Sequence, residues 1–314
     1  MNKITVIGTG SVGSTIAYTL TVMGIASEVV MIDINGEKAL GEALDIRQGG
    51  LFCNPTNVFA GSYADAEGSD IVVITSGVAR KPGQSRLDLA QINVNILKSV
   101  TENIVKYAPD AIYVIVSNPV DVLTYAFHKF SGIPEERIIG SGTILDTARL
   151  RARISEYYRV NQQNIHAYVL GEHGDTAVVP WSIANISNVP VEDYGNSLKN
   201  NDGFYPEFKK NEVEDFVRKS GGRVIRRKGA TYYAVSMSVC HLCKCLLSGI
   251  DTSLTVSTMV HGEYGLHDVA LSLVNVVGKN GIHGKIMVPL TDAEIADLHK
   301  SADSLKAVIN SIEI

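Results

Sequence analysis

Cysteine is scarce in this sequence, which argues against a fold held together by disulfides. Only four cysteines occur among 314 residues, and small secreted proteins that depend on disulfides contain many more. Three of the four fall within VCHLCKCLL, residues 239–247, whereas Cys53 is far away in sequence. A structural zinc site usually needs four ligands in two separated pairs. We therefore predict no metal site and interpret these cysteines as buried apolar positions.

Neither sign of charge is in large excess. There are 28 lysines and arginines against 33 aspartates and glutamates, and no long run of either sign. The chain therefore lacks the charge pattern typical of proteins that bind nucleic acid or an anionic membrane, and we expect neither partner. The first residues, MNKITVIG, follow a strand pattern at once and lack the features of an export signal. We expect a cytoplasmic protein.

The chain is long and apolar enough to bury a sizeable core. Its 314 residues are 45% apolar, and this length exceeds the usual size of one domain. In the first half, short β-rich runs alternate with helical patterns, which predicts a doubly wound parallel sheet of the Rossmann type. Longer helices and a strand-rich stretch, 253–290, then favour an α+β arrangement. We predict an α/β protein with a Rossmann domain over residues 1–145 and an α+β domain over 146–314.

A glycine motif follows the first predicted strand. Gly8, Gly10 and Gly13 form G-x-G-x-x-G at the start of a predicted helix, and Asp33 ends the next predicted strand. In this context the glycines allow a tight turn and close approach of the backbone to a pyrophosphate at the helix N-terminus. Asp33 would accept hydrogen bonds from ribose hydroxyls and repel a 2'-phosphate, and no cation follows it directly. The motif predicts NAD rather than NADP as cofactor.

Four polar clusters lie where predicted strands and loops end. They are ARKPGQSR with Arg80 and Arg86, SNPVD with Asn118, GTILDTAR with Asp146 and Arg149, and GEHGD with His173. With these motifs in this order, the chain resembles the lactate/malate dehydrogenase family over essentially all 314 residues. The resemblance implies a Rossmann NAD-binding domain followed by a substrate domain, hydride transfer between NAD and a small 2-hydroxy or 2-keto acid, and a homotetramer or dimer.

The resemblance also implies roles for the polar residues, and these roles agree with their chemistry. His173 would be the acid/base, since its pKa lies near neutrality, and Asp146 would orient it. Arg149 would bind the substrate carboxylate through two parallel hydrogen bonds. Arg86 would stabilise charge on the carbonyl oxygen, and Asn118 would contact both substrate and nicotinamide. The segment 79–86 resembles the mobile lid of the family, which accounts for its local concentration of cations.

Two features of the sequence disagree about the substrate. GSGTILDTAR, GEHGDTAVVPWS and KGATYYAV, which contains the proposed substrate contact Thr231, resemble the lactate branch. Arg80, however, stands six residues before Arg86, where lactate enzymes usually have glutamine and malate enzymes have arginine. We expect this cation to pair with the second carboxylate of oxaloacetate, so that malate/oxaloacetate is favoured over lactate/pyruvate. The alternatives are an L-lactate dehydrogenase and, more remotely, a dinucleotide-binding sensor without turnover.

Two further residues suggest an allosteric site. Arg151 and His166 match positions that bind fructose 1,6-bisphosphate in allosteric bacterial lactate dehydrogenases, where residues paired across a subunit interface can hold phosphates. The competing interpretation is an exposed arginine and a surface histidine without such a role.

Overall fold

In the computed structural model of the chain, residues 2–79, 85–198 and 207–314 are described, without the side chain of Arg86. The helices are α1 Ser11–Val22, α2 Gly36–Gln48, α3 Arg86–Ile104, α4 Val120–Ser131, α5 Ile144–Tyr158, α6 Tyr194–Ser197, α7 Lys210–Lys228, α8 Tyr233–Leu246 and α9 Asp292–Ile309. The strands are β1 Lys3–Ile7, β2 Glu28–Ile32, β3 Asn57–Ala60, β4 Ile71–Ile74, β5 Ile112–Ile115, β6 Ile138–Gly140, β7 Ile165–His166, β8 Asn185–Ile186, β9 Val189–Pro190, β10 Thr252–His261, β11 His267–Gly278 and β12 Gly281–Lys285.

The first half forms the doubly wound sheet that the alternating pattern predicts. Six parallel strands lie in the order β3-β2-β1-β4-β5-β6, so the order reverses beside β1. The strands are short, apolar and buried because both faces of the sheet are covered. Along β1, Ile4 and Val6 pack into one hydrophobic cluster and Ile7 into another on the opposite face. In such sheets ligands bind outside the carboxyl ends of the strands, next to the point of reversal.

The second half is α+β, as predicted, but its long strands extend the sheet of the first half. Strands β10, β11 and β12 pair antiparallel, and β10 joins β6 through Ser257 opposite Gly140. The result is one nine-stranded sheet, with a separate three-stranded sheet of β7, β8 and β9. The predicted domain boundary at residues 145 and 146 stays a prediction, and α5 runs across it.

The last helix, α9, begins with a capping box. Thr291 Oγ1 accepts the Glu294 N–H at 3.3 Å, and Glu294 accepts the Thr291 N–H at 2.9 Å. The cysteines of α8 are buried and unbridged. Among the described residues, no helix is long and apolar enough to cross a membrane.

Candidate active site

The turn between β1 and α1 contains Gly8 and Gly10, and Gly13 lies in the first turn of α1; Gly8 and Gly13 have no room for a side chain. Gly8 has φ +95°, and a Cβ there would lie 2.7 Å from Ser76 N. A Cβ on Gly13 would lie 1.8 Å from the Gly8 oxygen. A Cβ on Gly10 would meet no atom within 4 Å, which leaves open space at the N-terminus of α1. This arrangement fits the pyrophosphate of NAD.

Asp33 lies directly after β2, beside this turn. Its carboxylate accepts the Thr9 N–H at 2.6 Å, the Thr9 hydroxyl at 3.1 Å and the Asn35 N–H at 2.9 Å. Burial by itself would raise the pKa of Asp33, but these hydrogen bonds lower it below its ordinary value. The group is therefore ionised at neutral pH, which suits contact with ribose hydroxyls and disfavours a 2'-phosphate.

His173, Asp146 and Arg149 form one connected group. His173 Nδ1 donates to Asp146 Oδ2 at 2.5 Å, and Arg149 Nη1 donates to Asp146 Oδ1 at 2.8 Å. Asp146 and Arg149 lie on consecutive turns of α5, so the helix sets their separation. His173 is on the loop that follows Gly171, whose N–H donates to Ser272 O on β11 at 2.8 Å. The hydrogen bond to Asp146 leaves His173 Nε2 as the ring nitrogen that can meet a substrate.

The protonation states in this group follow from its charges. The nearby Asp146 carboxylate raises the pKa of His173 to about 9, although burial and Arg149 act in the opposite direction. Burial would raise the pKa of Asp146, but His173 and Arg149 together lower it. At neutral pH the site thus holds an imidazolium, a carboxylate and a guanidinium. The contribution of protonated His173 to stability is complete near pH 6.5, its ordinary pKa, and is lost as the pH rises through about 9.

A cavity of about 290 Å³ brings the predicted site residues together. Its lining includes Asn118, Asp146, Arg149, His173 and Thr231, and also Val12 of α1, next to the glycine turn. Helix α7, which packs against α5, also lines the cavity, and nothing in its sequence connects it with the site. From that helix the cavity is lined by Val217, Arg218, Gly221, Gly222 and Ile225.

Asn93 also takes part in the structure around the site, although the sequence did not reveal it. It is buried on α3, where its Oδ1 accepts the Val78 N–H at 2.8 Å and its Nδ2 donates to Asn118 O at 2.7 Å. It therefore joins the end of the segment after β4 to the loop that carries Asn118. Nothing in the helical pattern around Asn93 marks it, because an asparagine within a helix is usually exposed.

Two of the proposed substrate contacts are not described at side-chain level. Arg80, with the rest of residues 80–84, lies outside the described residues, and Arg86 is described only as the first residue of α3.

The proposed effector residues, Arg151 and His166, are described but do not line the cavity around His173. Arg151 Nε donates to Ala167 O at 3.0 Å, and the neighbouring His166 is exposed on β7. Arg151 and His166 thus lie on adjoining elements.

Comparison with known proteins identifies the family. Residues 2–140 match the family model of the lactate/malate dehydrogenase NAD-binding domain, and residues 143–313 match that of its α/β C-terminal domain. The chain belongs to the lactate/malate dehydrogenase family. It is an oxidoreductase that uses NAD(H), in agreement with the glycine turn and the ionised Asp33.

Individual members of the family are similar to the chain over nearly its whole length. An L-lactate dehydrogenase of Acetivibrio thermocellus is 44% identical over 100% of this chain and 98% of its own. One of Clostridium botulinum is 46% identical over 98% of this chain and 96% of its own. The crystal structure of a minor L-lactate dehydrogenase from Enterococcus mundtii aligns with a TM-score of 0.93 at 37% identity, covering 100% of this chain and 99% of that one.

These relatives contradict the expected preference for malate. All three are named L-lactate dehydrogenases, and a deep-sea metagenomic lactate dehydrogenase aligns with a TM-score of 0.92 at 37% identity, over 99% of this chain and 98% of its own. The prediction was wrong because it gave one cation, Arg80, more weight than the rest of the chain. Substrate preference depends on all the contacts around the cavity, and most motifs already resembled the lactate branch.

Proposed function

We propose that the chain is an L-lactate dehydrogenase, which interconverts pyruvate and L-lactate with NAD(H). The hydrogen-bonded group of His173, Asp146 and Arg149 at one cavity is the observation that carries this proposal. The names of the similar full-length proteins support pyruvate as the substrate. A sensor without turnover would not need an acid, its orienting carboxylate and a carboxylate-binding arginine in one place.

Each of the three residues has a distinct task in this proposal. Bound NADH supplies the hydride that reduces the keto carbon. His173 Nε2 donates a proton to the carbonyl oxygen, and Asp146 keeps the imidazole oriented through Nδ1 and stabilises its charged form. Arg149 has further N–H groups besides the one on Asp146, and these bind the substrate carboxylate. In lactate oxidation, neutral His173 accepts the proton from the hydroxyl group.

The remaining contacts complete the proposed site. Asn118 and Thr231 line the cavity, where they would hold the substrate, and Asn118 would also contact the nicotinamide. Arg86 stabilises negative charge on the carbonyl oxygen. Gly8, Gly10, Gly13 and Asp33 bind the adenosine and pyrophosphate parts of NAD. The scarcity of cysteine supports a cytoplasmic location for this reaction.

Assays of NADH consumption with pyruvate test the function. We expect turnover with NADH and much less with NADPH. Because the pKa of His173 is raised to about 9, the rate of pyruvate reduction should stay high at neutral pH and fall as the pH rises through about 9. Lactate oxidation should rise over the same range. Consumption of NADH with another 2-keto acid but not with pyruvate would overturn the assignment, and no consumption with any 2-keto acid would favour the sensor.

We further propose that the chain assembles as a homodimer or tetramer. Helices α1 and α8 pack together, and α1 also contacts α2. Their exposed side chains include Tyr18, Val22, Tyr233 and Met237, and the turn after α2 exposes Phe52 by 86%. Exposed apolar side chains on adjoining elements are typical of subunit interfaces. A second copy of the chain would bury them.

Fructose 1,6-bisphosphate is proposed as an effector of this assembly through Arg151 and His166. Sedimentation velocity and pyruvate kinetics with the effector test this prediction. We expect millimolar effector to favour the larger assembly or to lower the KM for pyruvate, and the Arg151→Gln variant to lose the response because phosphate contacts are charge-assisted. Inorganic phosphate is the control. An unchanged sedimentation coefficient and an unchanged KM would contradict the effector site.

A further inference from the structure

A second buried carboxylate contacts the proposed acid/base. Asp121 lies in the first turn of α4, three residues after Asn118, and is only 2% exposed. Its Oδ2 accepts the backbone N–H of His173 at 2.8 Å, across 52 residues of sequence. Asp121 thus contacts the main chain of His173, whereas Asp146 contacts its ring. The ring and the backbone of this histidine are each held by a different carboxylate.

The second oxygen of Asp121 makes the arrangement unusual. Asp121 Oδ1 is buried and has no hydrogen-bond partner among the described residues. The Ser257 hydroxyl lies near enough to lower the pKa of the carboxyl, yet Ser257 Oγ also lacks a partner at hydrogen-bond distance and angle. A buried carboxylate with an unsatisfied oxygen is costly. An asparagine could accept the same N–H without this charge, so the single hydrogen bond does not account for an aspartate here.

The charged groups near Asp121 explain why this position has an aspartate rather than an asparagine. The imidazolium of His173 is the one cation among the groups that influence the pKa of Asp121 most strongly, and Glu172 adds a further negative charge. Asp146 and Arg149 also act on the imidazole, with opposite signs: Asp146 raises the pKa of His173 and Arg149 lowers it. A carboxylate at Asp121 therefore favours the charged form of His173.

We propose that Asp121 is a positioning residue for the reaction: it fixes the main chain of His173 and adds a second negative charge that holds the imidazole protonated. The effect of Asp121 on catalysis rests on the proposed function. Its effect on the charge of His173 can be measured in the free protein, without substrate. Asp121 connects the loop of Asn118, at the end of β5, to the acid/base loop, so one short segment links the proposed cofactor contact with the proton donor.

The ionisation of the two groups agrees with this role. Burial raises the pKa of Asp121 to about 6, against the lowering effects of Ser257 and of the His173 N–H. Asp121 also raises the pKa of His173, although less than Asp146 does. Between about pH 6 and pH 9, Asp121 is thus ionised while His173 is protonated. Above pH 9 the imidazole loses its proton, and below pH 6 the second carboxylate loses its charge.

The Asp121→Asn variant tests the proposal, because it keeps the volume and an oxygen acceptor but removes the charge. NMR titration of histidine side chains in the free protein, with His173→Asn for assignment, measures the pKa directly. We expect the pKa of His173 to fall by about half a unit to one unit, as for one charge removed from a partly buried pair. The alkaline limb of kcat/KM for pyruvate should move to lower pH by the same amount.

Asp268→Asn is the matched control. Asp268 accepts hydrogen bonds from Tyr125 at 3.1 Å and Lys129 at 3.3 Å, so it contacts the same helix, α4, near its other end. The substitution removes the same charge at an exposed site, where solvent screens it. We expect the His173 pKa to stay at its wild-type value. A purely structural role for Asp121 would alter the melting temperature without moving this pKa.

A second variant covers the case in which Asp121→Asn does not fold. Ser257→Ala leaves the carboxylate in place but removes a hydroxyl that lowers its pKa, so the acid-side inflection in the His173 chemical shift should move above about pH 6. A folded Asp121→Asn protein with an unchanged His173 pKa, or the absence of any acid-side inflection in the His173 chemical shift of both the wild type and Ser257→Ala, would overturn the inference. A wild-type protein inactive on pyruvate would overturn the proposed function instead, since the NMR titration needs no turnover.

Discussion

Replacement of His173 by asparagine is expected to lower kcat for pyruvate reduction by about 10²- to 10⁴-fold while NADH still binds. Asparagine can contact Asp146, but it cannot donate a proton to the developing alkoxide at neutral pH. In the proposed site the glycine turn and Asp33 would contact the opposite part of the cofactor, so NADH binding should not depend on the imidazole. Steady-state kinetics with pyruvate and titration of NADH fluorescence measure the two effects separately.

His261→Asn provides a control with the same change of side chain. His261 Nε2 contacts both oxygens of Glu135 at 2.8 Å, so it is also a histidine paired with a carboxylate, but it is exposed and does not line the cavity around His173. We expect this variant to retain wild-type kcat. A His173→Asn protein with near-normal turnover would remove His173 from the mechanism, and a loss of NADH affinity would point to a distorted site.

Replacement of Arg149 by glutamine is expected to lower kcat/KM for pyruvate by about 10²- to 10³-fold. The change would remove the proposed two-point contact to the substrate carboxylate, and it leaves the buried Asp146 with one cation fewer. Breaking a buried ionic contact costs about 3–5 kcal/mol, and each 1.4 kcal/mol corresponds to about tenfold in rate. Arg149→Lys should recover only part of the loss, because an ammonium group cannot form the planar fork.

Arg153→Gln separates this effect from a general loss of charge on α5. Arg153 lies one turn further along the same helix and pairs with Glu156 at 3.0 Å, where both side chains are exposed. A surface pair of this kind contributes little, so kinetics and stability should stay close to wild type. Equal losses of kcat/KM in Arg149→Gln and Arg153→Gln would show that both substitutions act by disturbing the structure of α5. An unaltered KM in Arg149→Gln would remove Arg149 from substrate binding.

Some features could be predicted because neighbouring residues produce them. The turn of Gly8, Gly10 and Gly13 depends on backbone within a few residues, and the capping box of Thr291 and Glu294 spans a single helical turn. The buried parallel strands were visible as short apolar runs. The group of Asp146, Arg149 and His173 was predicted from the family resemblance, since nothing local places His173 beside α5. The substrate was predicted wrongly, because Arg80 is one contact among many.

The sequence by itself determined the class of fold, the cofactor turn and the residue types needed for proton transfer and carboxylate binding. Only the tertiary structure decided that β10 continues the sheet at β6, that α7 forms a wall of the cavity, and that Asn93 joins two loops. It also brought Asp121 to the main chain of His173. The physical reason is distance along the chain. Local turns and caps are set by nearby backbone geometry, whereas the electrostatic surroundings of a side chain depend on groups that meet only after the chain has folded.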